Sequence, residues 1–220
     1  MTQPTINRRS LLGATALGGF AAALSGCTGV TRDKSQPHYV IVYDQNKCVG
    51  CLQCERACHE TNHLPEGQFR LKIQADVATN DRPFVRVSCQ QCEESPCVRA
   101  CPTGAAHRDK ATGVVTVDES LCIGCKYCIV ACPYNVRYIR KDNGAADHCN
   151  FCLDTRLRDG KKPACVEACP VDALAFGDLN DKNGYVARLL DLKDSVRIRP
   201  ELGTRPSLRY IPYKQDKKEA

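Results

Sequence analysis

The chain has 220 residues, of which 43% are hydrophobic and 6% aromatic, with no tryptophan. That is a thin apolar supply for one large or two small domains, and it argues against a fold held by an oily core alone. The formal net charge of +6 would suit a nucleic-acid binder, but 17 cysteines that count as neutral thiols in that sum put it in doubt.

Residues 1–27 read as an export signal. Asn7-Arg8-Arg9-Ser10-Leu11-Leu12 leads into an apolar run over 11–24, too short to span a bilayer but right for a signal core. The pair Arg8 and Arg9 resembles a twin-arginine signal, with Leu11 where Phe is usual and Gly13 where Lys is usual. Leu24-Ser25-Gly26-Cys27 resembles a lipobox, which makes Cys27 a candidate for acylation. The alternatives are cleavage nearby with Cys27 an idle thiol, and an uncleaved tail or anchor. Residues 28–37 are polar and read as a tether.

A strand is expected over 39–43, where β-branched and aromatic residues run together, and another over 84–87. The connection between them, over 61–81, is polar with a short apolar piece at 69–73. Ser95-Pro96 suits a helix N-cap followed by Pro at the first helical position. Residues 105–107 and 114–117 are expected to pair as a hairpin across Ala111-Thr112-Gly113. Short helices are expected over 154–158, stopped by Gly160, and over 185–192, with Leu189, Leu190 and Leu192 available for packing. A last strand falls at 208–211, and 214–220 is a charged tail.

Sixteen of the cysteines form four sets of four: Cys48, Cys51, Cys54, Cys58; Cys89, Cys92, Cys97, Cys101; Cys122, Cys125, Cys128, Cys132; and Cys149, Cys152, Cys165, Cys169. The first and third have the spacing Cys-x2-Cys-x2-Cys-x3-Cys, and the last three sets end in Cys-Pro. Disulfide frameworks do not call for three cysteines crowded into one short loop. Structural zinc takes two Cys pairs a dozen or more residues apart, a pattern that the fourth set alone would not exclude. Three thiolates from one tight loop with a fourth before proline match a [4Fe–4S] cube, so four such clusters are expected. The three runs Cys101-Pro102-Thr103-Gly104-Ala105, Cys132-Pro133-Tyr134-Asn135-Val136 and Cys169-Pro170-Val171-Asp172-Ala173 imply a repeated unit of cysteine loop, short helix ending at the last cysteine, proline stop and strand. Gly50 and Gly124, inside two loops, are read as letting the backbone pass close to a cube.

In a two-cluster ferredoxin unit each loop gives three cysteines to one cluster and its last to the other. Twenty residues separate the second and third sets, 30 the first and second, and 16 the third and fourth. Twenty leaves room for one hairpin, so the second set pairs with the third, which leaves the first with the fourth. The expected ligand groups are Cys89, Cys92, Cys97 with Cys132; Cys122, Cys125, Cys128 with Cys101; Cys48, Cys51, Cys54 with Cys169; and Cys149, Cys152, Cys165 with Cys58. The charge then reads differently. Removing Arg8 and Arg9 with the signal leaves +4 of the +6. Each cluster with four thiolates brings about −2, so the loaded protein is mildly acidic and a nucleic-acid partner is not expected. Clusters are assembled in the cytoplasm, which fits export in the folded state.

Cys54 to His59 is one residue longer than the c-haem signature, and the cluster reading already uses both thiols. His38, His59, His63, His107 and His148 are scattered and read as surface or packing residues. No phosphate loop or nucleophile arrangement stands out, and no catalytic residue is expected.

With these residues assembled, the chain from about 39 to 213 resembles the four-cluster ferredoxin-like subunits of bacterial respiratory oxidoreductases. It looks most like the exported iron–sulfur proteins serving periplasmic cytochrome c nitrite reductase. The resemblance rests on Val49-Gly50-Cys51, Cys89-Gln90-Gln91-Cys92, Cys101-Pro102-Thr103-Gly104-Ala105, Cys132-Pro133-Tyr134, the run from Pro163 to Pro170 and Leu202-Gly203-Thr204. It implies the same nested cysteine pairing and a role as an electron wire. Its partners would be a quinol-oxidising integral membrane subunit and a periplasmic reductase or multihaem c-type cytochrome. The protein would sit at the periplasmic side of the cytoplasmic membrane, held by its partner and by any lipid on Cys27.

The expected architecture is therefore α+β, two interlocked ferredoxin-like 2[4Fe–4S] units with short helices and antiparallel hairpins. The domain covers 38–213, with an inner unit at about 83–140 and an outer unit from the flanking segments. The alternatives are the corresponding subunit of a polysulfide, thiosulfate, tetrathionate, sulfite or dimethyl sulfoxide reductase and, from another class, a zinc-loaded structural module.

Overall fold

The computed structural model describes residues 33–75 and 84–214. The export signal with Arg8, Arg9 and Cys27, residues 28–32 of the tether and 215–220 of the tail lie outside them. In sequence order the elements are β1 (Tyr39–Asp44), α1 (Gln53–Thr61), β2 (Leu71–Ala75), β3 (Phe84–Ser88), α2 (Pro96–Arg99), β4 (Ala106–Arg108), β5 (Val115–Val117), α3 (Tyr127–Val130), β6 (Tyr138–Ile139), β7 (Ala146–Asp147), α4 (Ala164–Glu167), β8 (Leu174–Asp178), α5 (Tyr185–Leu192) and β9 (Arg209–Ile211). The mixture of small helices and short strands is the α+β class read from the sequence. Among the described residues no helix is long and apolar enough to cross a membrane.

β1 is the centre of a three-stranded sheet. It pairs antiparallel with β8, Tyr39 opposite Asp178 and Tyr43 opposite Leu174, and parallel with β9, Tyr43 opposite Tyr210. Successive side chains of a strand point to opposite faces, and here both faces are covered, which is why the strand is apolar without alternation. Val40 and Val42 pack with Val186, Leu189 and Leu190 of α5. Leu192, expected to join them, is 85% exposed at the helix end. Ile41 and Tyr43 face the main core with Phe151, Leu153, Leu208 and several cysteines. Leu153 and Leu208 are fully buried, each contributing roughly 1.5–3 kcal/mol of transfer free energy.

The four-residue helices α2, α3 and α4 each stop just short of the last cysteine of a set, and the proline after it, Pro102, Pro133 or Pro170, prevents extension. The first set has His59 in that place, and α1 runs past Cys58 to Thr61. α1 packs against α4 and α2 against α3. Ser95 is the residue before α2 and Pro96 its first, but the Ser95 hydroxyl donates to the Cys92 carbonyl at 2.6 Å and caps no helix N–H.

β4 and β5 form the expected hairpin, Ala106 opposite Val117. Its turn is held by the Asp109 carboxylate, which accepts from the Thr112 amide at 2.8 Å and the Thr112 hydroxyl at 2.7 Å. Gln36, near the end of the expected tether, donates to the Lys110 carbonyl at 2.6 Å, so 33–37 lies against this turn. Two further antiparallel pairs are formed, β2 with the expected strand β3 and β6 with β7. The helix expected over 154–158 is not formed. That stretch is a series of turns leading to a 3-10 turn at Leu157–Asp159, and only the stop at left-handed Gly160 is as expected.

Candidate metal centres

The fold brings the last cysteine of each set to a different set. Cys101, after α2, lines one cavity with Cys122, Cys125 and Cys128. Cys132, after α3, lines a second with Cys89, Cys92 and Cys97. Cys169, after α4, lines a third with Cys48, Cys51 and Cys54. Their empty volumes are about 320, 320 and 330 Å³, as expected of three copies of one site. Cys58, on α1, lies among Cys149, Cys152 and Cys165, close enough for each to act on its charge, and all four are buried. The sixteen described cysteines are all free of disulfides.

Among the described residues no three His, Cys, Asp or Glu side chains converge on a point able to hold a single metal ion. A zinc ion needs its sulfurs at about 2.3 Å from one centre. In the three cavities the sulfurs instead line a space, which is the donor arrangement of a polynuclear core.

The loops share one backbone device. The residue before the second cysteine of each set is left-handed: Gly50 (φ 69), Gln91 (φ 48), Gly124 (φ 67) and Phe151 (φ 57). Side-chain-bearing residues seldom adopt this region outside functional loops. Gly50 and Gly124 line cavities, and each also has a neighbour that crowds out a side chain. A Cβ on Gly50 would strike the Phe84 ring at 2.3 Å, and one on Gly124 would sit 3.1 Å from the Gly144 carbonyl. After the Cys-Pro pairs, Gly104, Asn135 and Asp172 are again left-handed and reverse the path of the backbone. That return lets backbone amides reach sulfur: Ala106 to Cys101 at 3.3 Å and Ala173 to Cys169 at 3.2 Å. Ala146 donates to Cys122 at 3.3 Å from β7.

Burial governs the thiols. It pushes Cys54 up to about 12 against the opposing charge of Arg86, and Cys92 and Cys149 up to about 11. Cys89 is raised well above its ordinary value of 9.0 for the same reason. Cys58 is raised by burial and then by Cys149, Cys165 and Cys152. Crowded buried thiols of this kind ionise only when a positive core neutralises them. Cys101 differs: burial raises it, but donors from Ala106 and Thr103 outweigh that and hold it below the ordinary value.

Several residues around these sites gave no sequence signal. Asn62 donates to Cys152 Sγ at 3.4 Å and to the Cys58 carbonyl at 2.8 Å. Arg70 holds Asn62 in place at 2.8 Å and pairs with Asp147 at 3.0 Å. Arg86 and Arg137 are buried beside cysteines. His148 is also buried; burial, then Arg137 and Arg70, push it well below its ordinary value, so it is neutral. Nothing in sequence separates such arginines from solvated ones; only their place near the sets hints at a role.

A fold of short helices and hairpins wrapped around exchanged cysteine quartets defines a multi-cluster ferredoxin. Comparison with known proteins agrees. A 4Fe-4S dicluster domain matches residues 81–179 and a 4Fe-4S binding domain matches 40–64. The chain is 46% identical over 205 residues to Protein NrfC of Escherichia coli K12, covering 89% of this chain and 92% of that one. It is 52% identical over 149 residues to the thiosulfate reductase electron transfer subunit PhsB of Salmonella typhi, 65% of this chain and 77% of that one. It is 42% identical over 183 residues to a subunit of the polysulfide reductase of Wolinella succinogenes, 80% of this chain and 95% of that one. The protein belongs to the family of 4Fe–4S ferredoxin-like, electron-transferring subunits of respiratory reductases.

Proposed function

We propose that each of the four cysteine groups holds one [4Fe–4S] cluster and that the protein relays single electrons along them, with no substrate site of its own. The observation that carries this reading is the exchange of Cys101, Cys132, Cys169 and Cys58 between sets. It supports an arrangement of two interlocked ferredoxin-like units, second set with third and first set with fourth. The clusters, when bound, supply one-electron redox chemistry. The protein's own residues supply thiolates, amide and Asn62 donors to sulfur, and exclusion of water.

The order of sites along the path is first, fourth, second, third. Within the outer unit, Cys54 of the first site lies near Cys165 of the fourth. Between units, Gln91 of the second loop donates to the Cys149 carbonyl at 2.8 Å. Within the inner unit, Cys128 of the third site lies near Cys97 of the second. Cys51 and Cys125 are the exposed cysteines among those described, one at each end of this order, where electrons would enter and leave.

The favoured setting is the periplasmic side of the cytoplasmic membrane, reached folded through a twin-arginine signal with Arg8 and Arg9, with Cys27 a candidate lipid anchor. A quinol-oxidising membrane subunit would supply electrons, and a periplasmic reductase of the nitrite type or its c-type cytochrome would receive them. The long match to Protein NrfC supports this branch. The matches to the thiosulfate and polysulfide reductase subunits support a second reading, service to a sulfur-compound reductase. Anaerobically purified protein should be brown, bleach with dithionite and recover colour on adding the c-type cytochrome. Recovery only with a sulfur-compound reductase would favour the second reading. A colourless, zinc-containing protein would refute both.

A further inference from the structure

Among the described residues, Arg86 and Arg137 are buried with no carboxylate paired to them. Arg86 is 1% exposed and Arg137 5%. Arg86 donates from Nε to the Ser88 hydroxyl at 3.0 Å and from Nη1 to Cys165 Sγ at 3.7 Å, while its buried Nη2 has no partner among the described residues. Arg137 Nη1 is likewise buried and without a partner there. Its Nη2 lies 3.3 Å from His148 Nε2, which is itself 3.0 Å from the Val115 carbonyl. A neutral imidazole donating to Val115 from that nitrogen cannot also accept from Arg137. Arg70, by contrast, has the Asp147 carboxylate.

A buried cation without an anion is strongly unfavourable. The anionic groups that face these two are cysteine sulfurs, and in each case they belong to two neighbouring sites. Arg86 acts on Cys165 and Cys149 of the fourth site and on Cys54 of the first. Arg137 acts on Cys97, Cys89 and Cys132 of the second site and on Cys128 of the third. Each guanidinium therefore stands at the junction of one pair. Arg86 does so from β3, which leads into the second loop, so its place in the sequence and the pair it serves belong to different units.

We infer that Arg86 and Arg137 are built-in counter-charges that hold up the reduction potentials of both clusters in their respective pairs. This rests on the four-cluster reading. On reduction each cluster with its thiolates takes one electron from its neighbour, or from dithionite in a titration, and goes from about −2 to about −3 with no bond made or broken. A fixed positive charge in a site of low dielectric favours the more negative state. It also screens one reduced cluster from the next. The two arginines are positioning residues for electrons, and their effect is confined to their own pair.

The test is a redox titration followed by EPR on the anaerobically purified full chain, with iron and sulfide counted. Arg86→Gln should lower two of the four centres, cutting their reduced-to-oxidised ratio at the wild-type midpoint at least tenfold, equivalent to about 59 mV for one electron. Arg137→Gln should lower the other two, and Arg86→Lys and Arg137→Lys should keep the wild-type potentials. Unchanged potentials in fully loaded Gln variants would overturn the inference, as would Lys variants that fall as far as Gln. If a Gln variant takes up no iron, its Lys counterpart decides: retention of the midpoints supports a charge effect, and a tenfold fall in the ratio overturns it. A wild-type iron count short of four clusters would instead refute the cluster reading, whatever the arginines do.

Discussion

The pair of sites on the first and fourth sets and the pair on the second and third use the same parts in different surroundings. The outer pair leans on the β8-β1-β9 sheet and a core with Ile41, Tyr43, Phe151, Leu153 and Leu208. α5 closes the far face of that sheet. The inner pair has little behind it: Cys97, Val115, Cys128 and Ala146 are its buried cluster, and two of those are ligand candidates. Hydrophobic burial can hold the outer region in part without metal, whereas the inner region must draw most of its stability from whatever its cysteines bind. Repetition of a binding loop does not imply equal dependence on the ligand.

The largest expected effect follows directly. Removing iron under anaerobic, reducing conditions should collapse hydrogen-exchange protection in β4, β5, β6 and β7 while β1 and β8 keep a measurable part of theirs. Equal loss across both regions would erase the distinction. Next, Leu153→Ala, which opens a cavity in the outer core, should cost about 2–5 kcal/mol in denaturant unfolding of the loaded protein. It should leave the inner clusters' EPR signals intact. Loss of the inner signals at low denaturant would mean that the two regions unfold as one.

A smaller effect is expected at Asp44, at the end of β1. Lys193, just past α5, donates to it at 2.7 Å and Asn46 at 2.9 Å. Burial would raise the carboxyl, but these donors outweigh it and hold it below the ordinary 3.8. A depressed carboxylate stabilises the fold above its unfolded-state value and loses that contribution as pH falls through its folded-state value. Asp44→Asn should therefore cost about 1–2 kcal/mol at neutral pH. The gap from wild type should shrink as the medium is acidified below 3.8. A gap that widens in acid would contradict this latch between sheet and α5.

How much of this was legible in sequence depended on how local the cause was. The cysteines crowd into short, regularly spaced runs, so the four sets are legible in sequence, and the proposed exchange of their last cysteines follows from the lengths between them. β1 and β5 are rich in β-branched residues and α5 carries a helical-period pattern, and these, with β4 and β9 beside turn signals, are legible to within a residue or two. β2 shows in sequence only as an apolar piece, and the two-residue strands β6 and β7 are too short to show a period. The segment 154–158 has helical composition, but left-handed Phe151 and Cys152 set its entry, and local propensity yields to that geometry. Arg86 and Arg137 were invisible because burial is a property of the packed protein, and a buried guanidinium reads in sequence like any surface arginine. Leu192 is the opposite case, apolar in sequence and yet outside.

The account rests above all on the exchange of ligands between paired loops, and three serine variants compared by EPR test it most directly. Cys132→Ser should alter the same centre as Cys92→Ser, because both belong to the cavity of the second loop. The centre altered by Cys125→Ser should remain as in wild type. If Cys132→Ser instead reproduces the Cys125→Ser spectrum, each loop holds its own fourth cysteine and the interlocked arrangement is wrong.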